Sequence, residues 1–170
     1  MQLNTLTPAK SLAPAFRAQS IGRDPINAFK TQFALLQSRL EEAAAESEEH
    51  VKNLVADFLK NTWYRDAHYI NTRDRQDLAI HQGRSAKDPV AVILEVKRPA
   101  NRAEMISAEK PNTKALHELL RYYLAERQQA DNRDIKRLVV TNTDDWFVFD
   151  AADFEQQIYS NKKLLKNLSL

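Results

Sequence analysis

The segment PVAVILEVK, residues 89–97, holds an almost unbroken apolar run. In a strand, successive side chains point to opposite faces, so a strand with one wet face alternates apolar and polar residues. A run without that alternation reads as a strand covered on both sides. Such a strand sits at the centre of a sheet, and the rest of the chain must supply an apolar layer to each face. The polar residues left inside it, Glu95 and Lys97, need a reason for being there.

The flanking segments supply the layers. Asp24-Pro25 is read as an N-cap acceptor followed by proline at the first helical position. Ile26, Phe29, Phe33, Leu36 and Leu40 then form one stripe, and Val51, Leu54, Val55, Phe58 and Leu59 a second after Ser47, which caps a new helix or interrupts a long one. Helix is expected to about residue 61. From residue 67 the pattern shortens to β-type runs, HYINT, QDLAIHQ and PVAVILEVK, the last two joined by the hairpin segment GRSAKDP. Residues 115–127 return to helical spacing, with Leu116, Leu119, Leu120, Tyr123 and Leu124 on one side. RLVVTNT and WFVFD follow as a second hairpin, and residues 154–168 read as a closing helix.

This order predicts an α/β (α+β) domain, a mixed central sheet flanked by helices. Residues 1–23 are expected to be an extended arm or partly ordered leader and residues 24–170 one domain, with helices over 24–62, a core over 67–150 and a C-terminal helix over 151–170. With 170 residues and 43% hydrophobic content the chain can build a single core. The tail stops on Leu-Ser-Leu without a terminator, which suggests a fragment of a longer chain.

Composition excludes several classes of chemistry. The absence of cysteine rules out disulfides, thiolate zinc sites and thiol nucleophiles, and fits a reducing compartment, so a cytoplasmic location is expected. No stretch approaches the roughly 20 apolar residues that span a bilayer, so no membrane partner is expected. Twenty-five basic and 23 acidic residues nearly cancel, so any polyanion-binding surface must come from local clustering. The histidines, His50, His68, His81 and His117, show no metal-ligand spacing; His81, four along from Asp77 on the same strand face, is within reach of that residue's site but is read as structural or solvated.

Glu95 and Lys97 lie two apart, which sends both side chains to one face. The neighbouring antiparallel strand contributes Asp77, 18 positions earlier, a separation that one hairpin spans. Paired carboxylates repel unless a cation lies between them, and hard oxygen ligands favour Mg²⁺ or Mn²⁺. A metal so held activates water and neutralises charge on a phosphodiester, while Lys97 orients the water or steadies the phosphate. The alternative is a strand-end ion pair with Asp77 near solvent, because E-x-K by itself is a common pattern.

The segment DLAIHQGRSAKDPVAVILEVKRP resembles the core of PD-(D/E)xK nucleases, with Asp77 in the place of the aspartate and Glu95-Val96-Lys97 as the (D/E)xK. The closer resemblance is to the N-terminal endonuclease domains of type IIG restriction-modification enzymes. It extends over EEHVKNLVADFLKNTWY, ALHELLRYYLAER, DIKRLVVTNTDDWFVFDA and NKKLLKN, most of residues 48–167. Arg75-Gln76 stands where the motif's proline would be. The resemblance implies a restriction-endonuclease-like fold, Mg²⁺-dependent cleavage of double-stranded DNA, and methyltransferase and target-recognition domains linked in the same chain. A double-strand cut needs two active sites, so a transient dimer on DNA is an expected partner state.

The resemblance also implies accessory residues. Glu118 and Tyr122, in the frame ELLRY, resemble a Q-x-x-x-Y element with glutamate replacing glutamine; the alternative is an exposed Glu118 and a packing Tyr122. Glu48 or Glu49 is the candidate for a helix glutamate at the metal, against plain first-turn charge. Arg73, Arg75, Arg98, Lys114 and Arg121 are candidate DNA contacts, with Lys162, Lys163 and Lys166 behind them. Two other functions compete: a non-cleaving DNA-binding or scaffold module on a nuclease fold, and a repair-type nuclease without a linked methyltransferase.

Overall fold

A computed structural model of the chain describes residues 3–43, 46–71 and 78–167. Two short helices, α1 (Pro8–Ser11) and α2 (Pro14–Arg17), each opened by a proline, precede α3 (Arg23–Glu42) and α4 (Glu48–Leu59). Strands β1 (Ile70–Asn71), β2 (Leu78–His81) and β3 (Val90–Val96) follow. Helix α5 (Lys114–Gln129) then crosses to β4 (Arg137–Thr141) and β5 (Trp146–Asp150), and α6 (Ala151–Phe154) and α7 (Lys162–Asn167) close the chain.

The five strands form one mixed sheet in sequence order. β3 pairs β4 in parallel through the α5 crossover, and the other neighbours are antiparallel. β3 is therefore enclosed on four sides: β2 on one edge, β4 on the other, and a helical layer on each face. Ile93 faces the core built with Leu119, Leu138 and Phe154, on the α5 side. Leu94 and Val96 face the core built with Leu36, Val55 and Phe58, on the α3–α4 side. Each of these fully buried strand residues contributes about 1.5–3 kcal/mol relative to exposure. The doubly covered strand expected from VAVILEV is present, and its alternation assigns Glu95 and Lys97 to the α5 side.

Helix boundaries follow local chemistry. Ser47 caps α4, its side chain accepting from the His50 amide, as one of the two sequence alternatives required. Asp24 does not cap α3: the N-cap is Gly22, and Asp24 lies inside the first turn, where its charge favours the helix dipole instead. α4 runs on into a π-helical turn, Lys60–Tyr64. The Thr62 hydroxyl donates to the Phe58 and Leu59 carbonyls there, competing for the acceptors of the regular ladder.

Of the N-terminal arm, residues 3–23 carry short ordered turns, because prolines at first helical positions start α1 and α2, though no residue of either helix is buried. One expectation is corrected. The closing segment is not one helix: α6 passes into a π-helical turn, Glu155–Tyr159, and the ladder breaks before Asn161, whose side chain accepts from the Leu164 amide to start α7. Among the described residues no helix is long and apolar enough to cross a membrane.

Candidate active site

Glu95 lies near the C-terminal end of β3 and Lys97 directly follows the strand, where the two helical layers meet. The Lys97 amide donates to the Thr141 carbonyl at 2.8 Å, which continues the parallel pairing with β4 and holds the residue rigidly. Both residues are 1% exposed. A buried ammonium costs several kcal/mol unless it is paired and hydrogen-bonded. Here it is surrounded. Lys97 Nζ lies 2.6 Å from Glu95 Oε1, 2.7 Å from Glu118 Oε2, 3.1 Å from Glu48 Oε1 and 3.9 Å from Glu104 Oε2.

Each carboxylate arrives from a different element. Glu95 comes from β3 itself. Glu118 projects from the second turn of α5, Glu48 is the first residue of α4, and Glu104 stands in the loop between β3 and α5. That loop is tied back by the Ala115 amide, which donates to the Glu104 carbonyl, and by Lys114 Nζ, which donates to both Glu104 carboxylate oxygens at 3.1 and 3.2 Å.

The electrostatics follow from this packing. Burial disfavours the Lys97 charge, but hydrogen bonds to Glu118, Glu95 and Glu48 outweigh it and raise its proton affinity well above that of ordinary lysine. Burial alone would raise the Glu118 pKa; the Lys97 hydrogen bond and charge reverse this and hold it below the usual carboxylate range. Lys114 does the same for Glu104. Four carboxylates against the ammoniums of Lys97 and Lys114 leave a surplus of two negative charges. A cluster of hard oxygen donors with that surplus matches a divalent cation of the Mg²⁺ or Mn²⁺ type in chemistry. Among the described residues no three acidic or histidine side chains already stand in a metal-binding arrangement, because the Lys97 ammonium occupies the middle of the cluster.

The structure separates several sequence candidates. Of the two first-turn glutamates, Glu48 reaches Lys97, whereas Glu49 is exposed and pairs with Lys52 one turn on. Glu118 joins the cluster and is not merely a solvated helix charge. Tyr122 is buried in the core on the α5 side, with the Arg121 guanidinium 5.4 Å from its ring centroid. Arg98 is half-buried and reaches the Glu46 carbonyl, while Lys114 is bound to Glu104. His81 is fully buried at the opposite end of β2, between the Asp88 carbonyl and Asn71, as a structural histidine. Lys162, Lys163 and Lys166 are exposed on α7. Asp77, Arg73 and Arg75 lie outside the described residues. Glu104 was not foreseen, since an acid in a loop carries no periodicity to mark it.

The family described as a domain of unknown function (DUF7149) matches residues 6–169. No curated protein and no solved structure matches the chain.

Proposed function

We propose that this chain, which belongs to the DUF7149 family, is a divalent-metal-dependent endonuclease domain that hydrolyses DNA phosphodiesters. The observation that carries this reading is the buried Lys97 ammonium held by Glu95, Glu118 and Glu48 at the end of a central strand. A structural ion pair needs one carboxylate; four around one lysine, with negative charge left over, is an arrangement that gains from a cation and a phosphate. The resemblance of residues 77–97 to the PD-(D/E)xK core supports the same conclusion and adds Asp77 as a further carboxylate. On this reading the sheet and its helices form a restriction-endonuclease-like fold.

Glu95 and Asp77 hold the metal, with Glu48 as the helix glutamate. Mg²⁺, for which Mn²⁺ substitutes, supplies when bound a water of lowered pKa and neutralising charge beside the phosphate. Lys97 keeps its proton on Nζ and donates it in a hydrogen bond, so its work is to orient water and stabilise negative charge on the phosphoryl oxygens, not to act as a base. Glu118 keeps the ammonium directed into the site. Arg98 and Arg121, with Arg73 and Arg75, are the proposed contacts to the backbone of double-stranded DNA; Lys114 joins them once it exchanges Glu104 for phosphate. The fuller proposal is the cleavage domain of a type IIG-like restriction-modification enzyme, cytoplasmic, linked to methyltransferase and target-recognition domains and pairing transiently on DNA for a double-strand cut.

The test is nicking of supercoiled plasmid by the purified chain with Mg²⁺ or Mn²⁺. Glu95→Gln and Asp77→Asn are expected to abolish nicking while the melting transition stays cooperative. Nicking that persists undiminished in both variants would overturn the assignment.

A further inference from the structure

A second feature lies at the other end of the sheet. Val90 is five positions before Glu95 on β3, about 17 Å at the rise of a strand. Next to that end, the π-helical turn after α4 borders an open groove of about 440 Å³. It meets a second depression, of about 380 Å³, along Lys60, Arg65 and Asp66. The volume is within the range of sites that hold small organic groups, roughly 300–1,000 Å³.

The lining is basic and aromatic together. Lys60, Arg65 and Arg84 contribute three cations against the single acid Asp66. None of the three cations forms a salt bridge among the described residues. Trp63 stacks on Phe29, with centroids 5.2 Å apart and planes at 27°, yet is 57% exposed, so its outer face is a rigid platform open to solvent. Tyr69, 36% exposed, lies in the adjoining depression. A π-helical turn inserted after an otherwise regular helix frequently marks a functional position, and here it is what carries Lys60 and Trp63.

We propose that this groove binds single-stranded DNA, one unpaired base stacking on Trp63 while Lys60, Arg65 and Arg84 hold the flanking phosphates. Stacking on an exposed aromatic beside cations is how unpaired strands are held without sequence preference. A fully paired duplex keeps its base faces stacked inside and offers none to Trp63. The groove is separate from the Lys97 cluster, and only the choice of DNA over RNA rests on the nuclease reading.

The experiment uses the full chain in chelator, so that no metal-dependent cleavage contributes. A Trp146→Phe background leaves Trp63 as the sole tryptophan. Titration with a short oligothymidylate is expected to quench Trp63 emission, and anisotropy of the labelled oligonucleotide to give a salt-dependent affinity. Trp63→Ala should weaken binding roughly tenfold or more. Because Trp63 also packs on Phe29, a folding control is provided by the exposed-charge variant Arg65→Gln/Arg84→Gln, expected to weaken binding at unchanged melting temperature. Unaltered affinity in both variants, or binding without quenching, would overturn the proposal, and tighter binding of oligouridylate would overturn the choice of DNA. Failure here leaves plasmid nicking untouched, and failure of nicking leaves this titration untouched.

Discussion

Lys97 Nζ and Glu95 Oε1 are 2.6 Å apart, on residues two positions apart at the end of one strand, and both side chains are almost wholly removed from water. The pair is the centre of the acidic cluster, and its asymmetry predicts unequal costs. Lys97→Met removes the cation that faces Glu95, Glu118 and Glu48, leaving their charges concentrated where water is excluded. Loss of about 3–5 kcal/mol is expected by urea denaturation. Glu95→Gln is expected to cost less, about 1–3 kcal/mol, because Lys97 keeps Glu118 and Glu48. Equal losses would show that the lysine is not the shared partner.

Glu48 and Glu49 are adjacent in sequence and opposite in placement. Glu48 Oε1 is 3.1 Å from Lys97 Nζ, whereas Glu49 turns to Lys52 on the helix surface. On the proposed function, Glu48→Gln lowers Mg²⁺-dependent nicking about 10–100-fold and raises the metal concentration for half-maximal activity. Glu49→Gln changes neither by more than about twofold, as expected of an exposed helix pair worth about 0.2–0.5 kcal/mol. Plasmid nicking across a Mg²⁺ series distinguishes the two.

The parts of the fold that could be read in advance are those set by local pattern. VAVILEV, LAIH and RLVV marked their strands because a sheet covered on both sides leaves apolar runs, and the Ser47 cap was visible because a hydroxyl before EEHV satisfies a free amide. Asp24 misled, because Gly22 already serves as N-cap and the helix begins two residues earlier, at Arg23 rather than Pro25. The π-helical turns depend on the route of the last α4 and α6 residues through the core, for which no spacing rule exists. Within the site, Glu95 and Lys97 were legible as polar residues in a strand that should have none. Glu104 was not, because only the reversal of the loop toward α5 brings it to Lys114. Which of Glu48 and Glu49 reaches Lys97 depends on how the first turn of α4 packs against the sheet.

Acid stability should carry the signature of Glu118 and Glu155. The hydrogen bond and charge of Lys97 hold Glu118 below the usual carboxylate range against the opposing effect of burial. For Glu155 the hydrogen bond from Arg127 is the largest cause of the same downward shift. A carboxyl depressed on folding stabilises the native state at pH above its unfolded value and loses that contribution as pH falls through its folded value. Stability is therefore expected to stay level from about pH 7 to about pH 5 and to decline below about pH 4.5. Glu118→Gln/Glu155→Gln should make that decline shallower, as read by chemical denaturation at a series of pH values. An unchanged slope would place the proton uptake on other carboxylates.

The far end of α5 carries a second ion pair, whose role is to hold the chain after β5. Arg127 Nε and Nη2 each donate at 2.9 Å to the two Glu155 oxygens, and Tyr123 donates to the same carboxylate at 2.6 Å. The guanidinium also lies 4.4 Å from the Tyr159 ring centroid. Lysine at 127 keeps the charge but loses the two-pronged geometry and much of the stacking, so Arg127→Lys is expected to cost about 1–2 kcal/mol. Hydrogen exchange should quicken in residues 155–160 and stay slow in β3 and β4. Nicking should remain within about twofold of the unaltered chain, because Arg127 lies nine residues along α5 from Glu118, roughly 13 Å. A loss of protection across the whole sheet would show instead that the Arg127–Glu155 pair supports the core and not the closing segment alone.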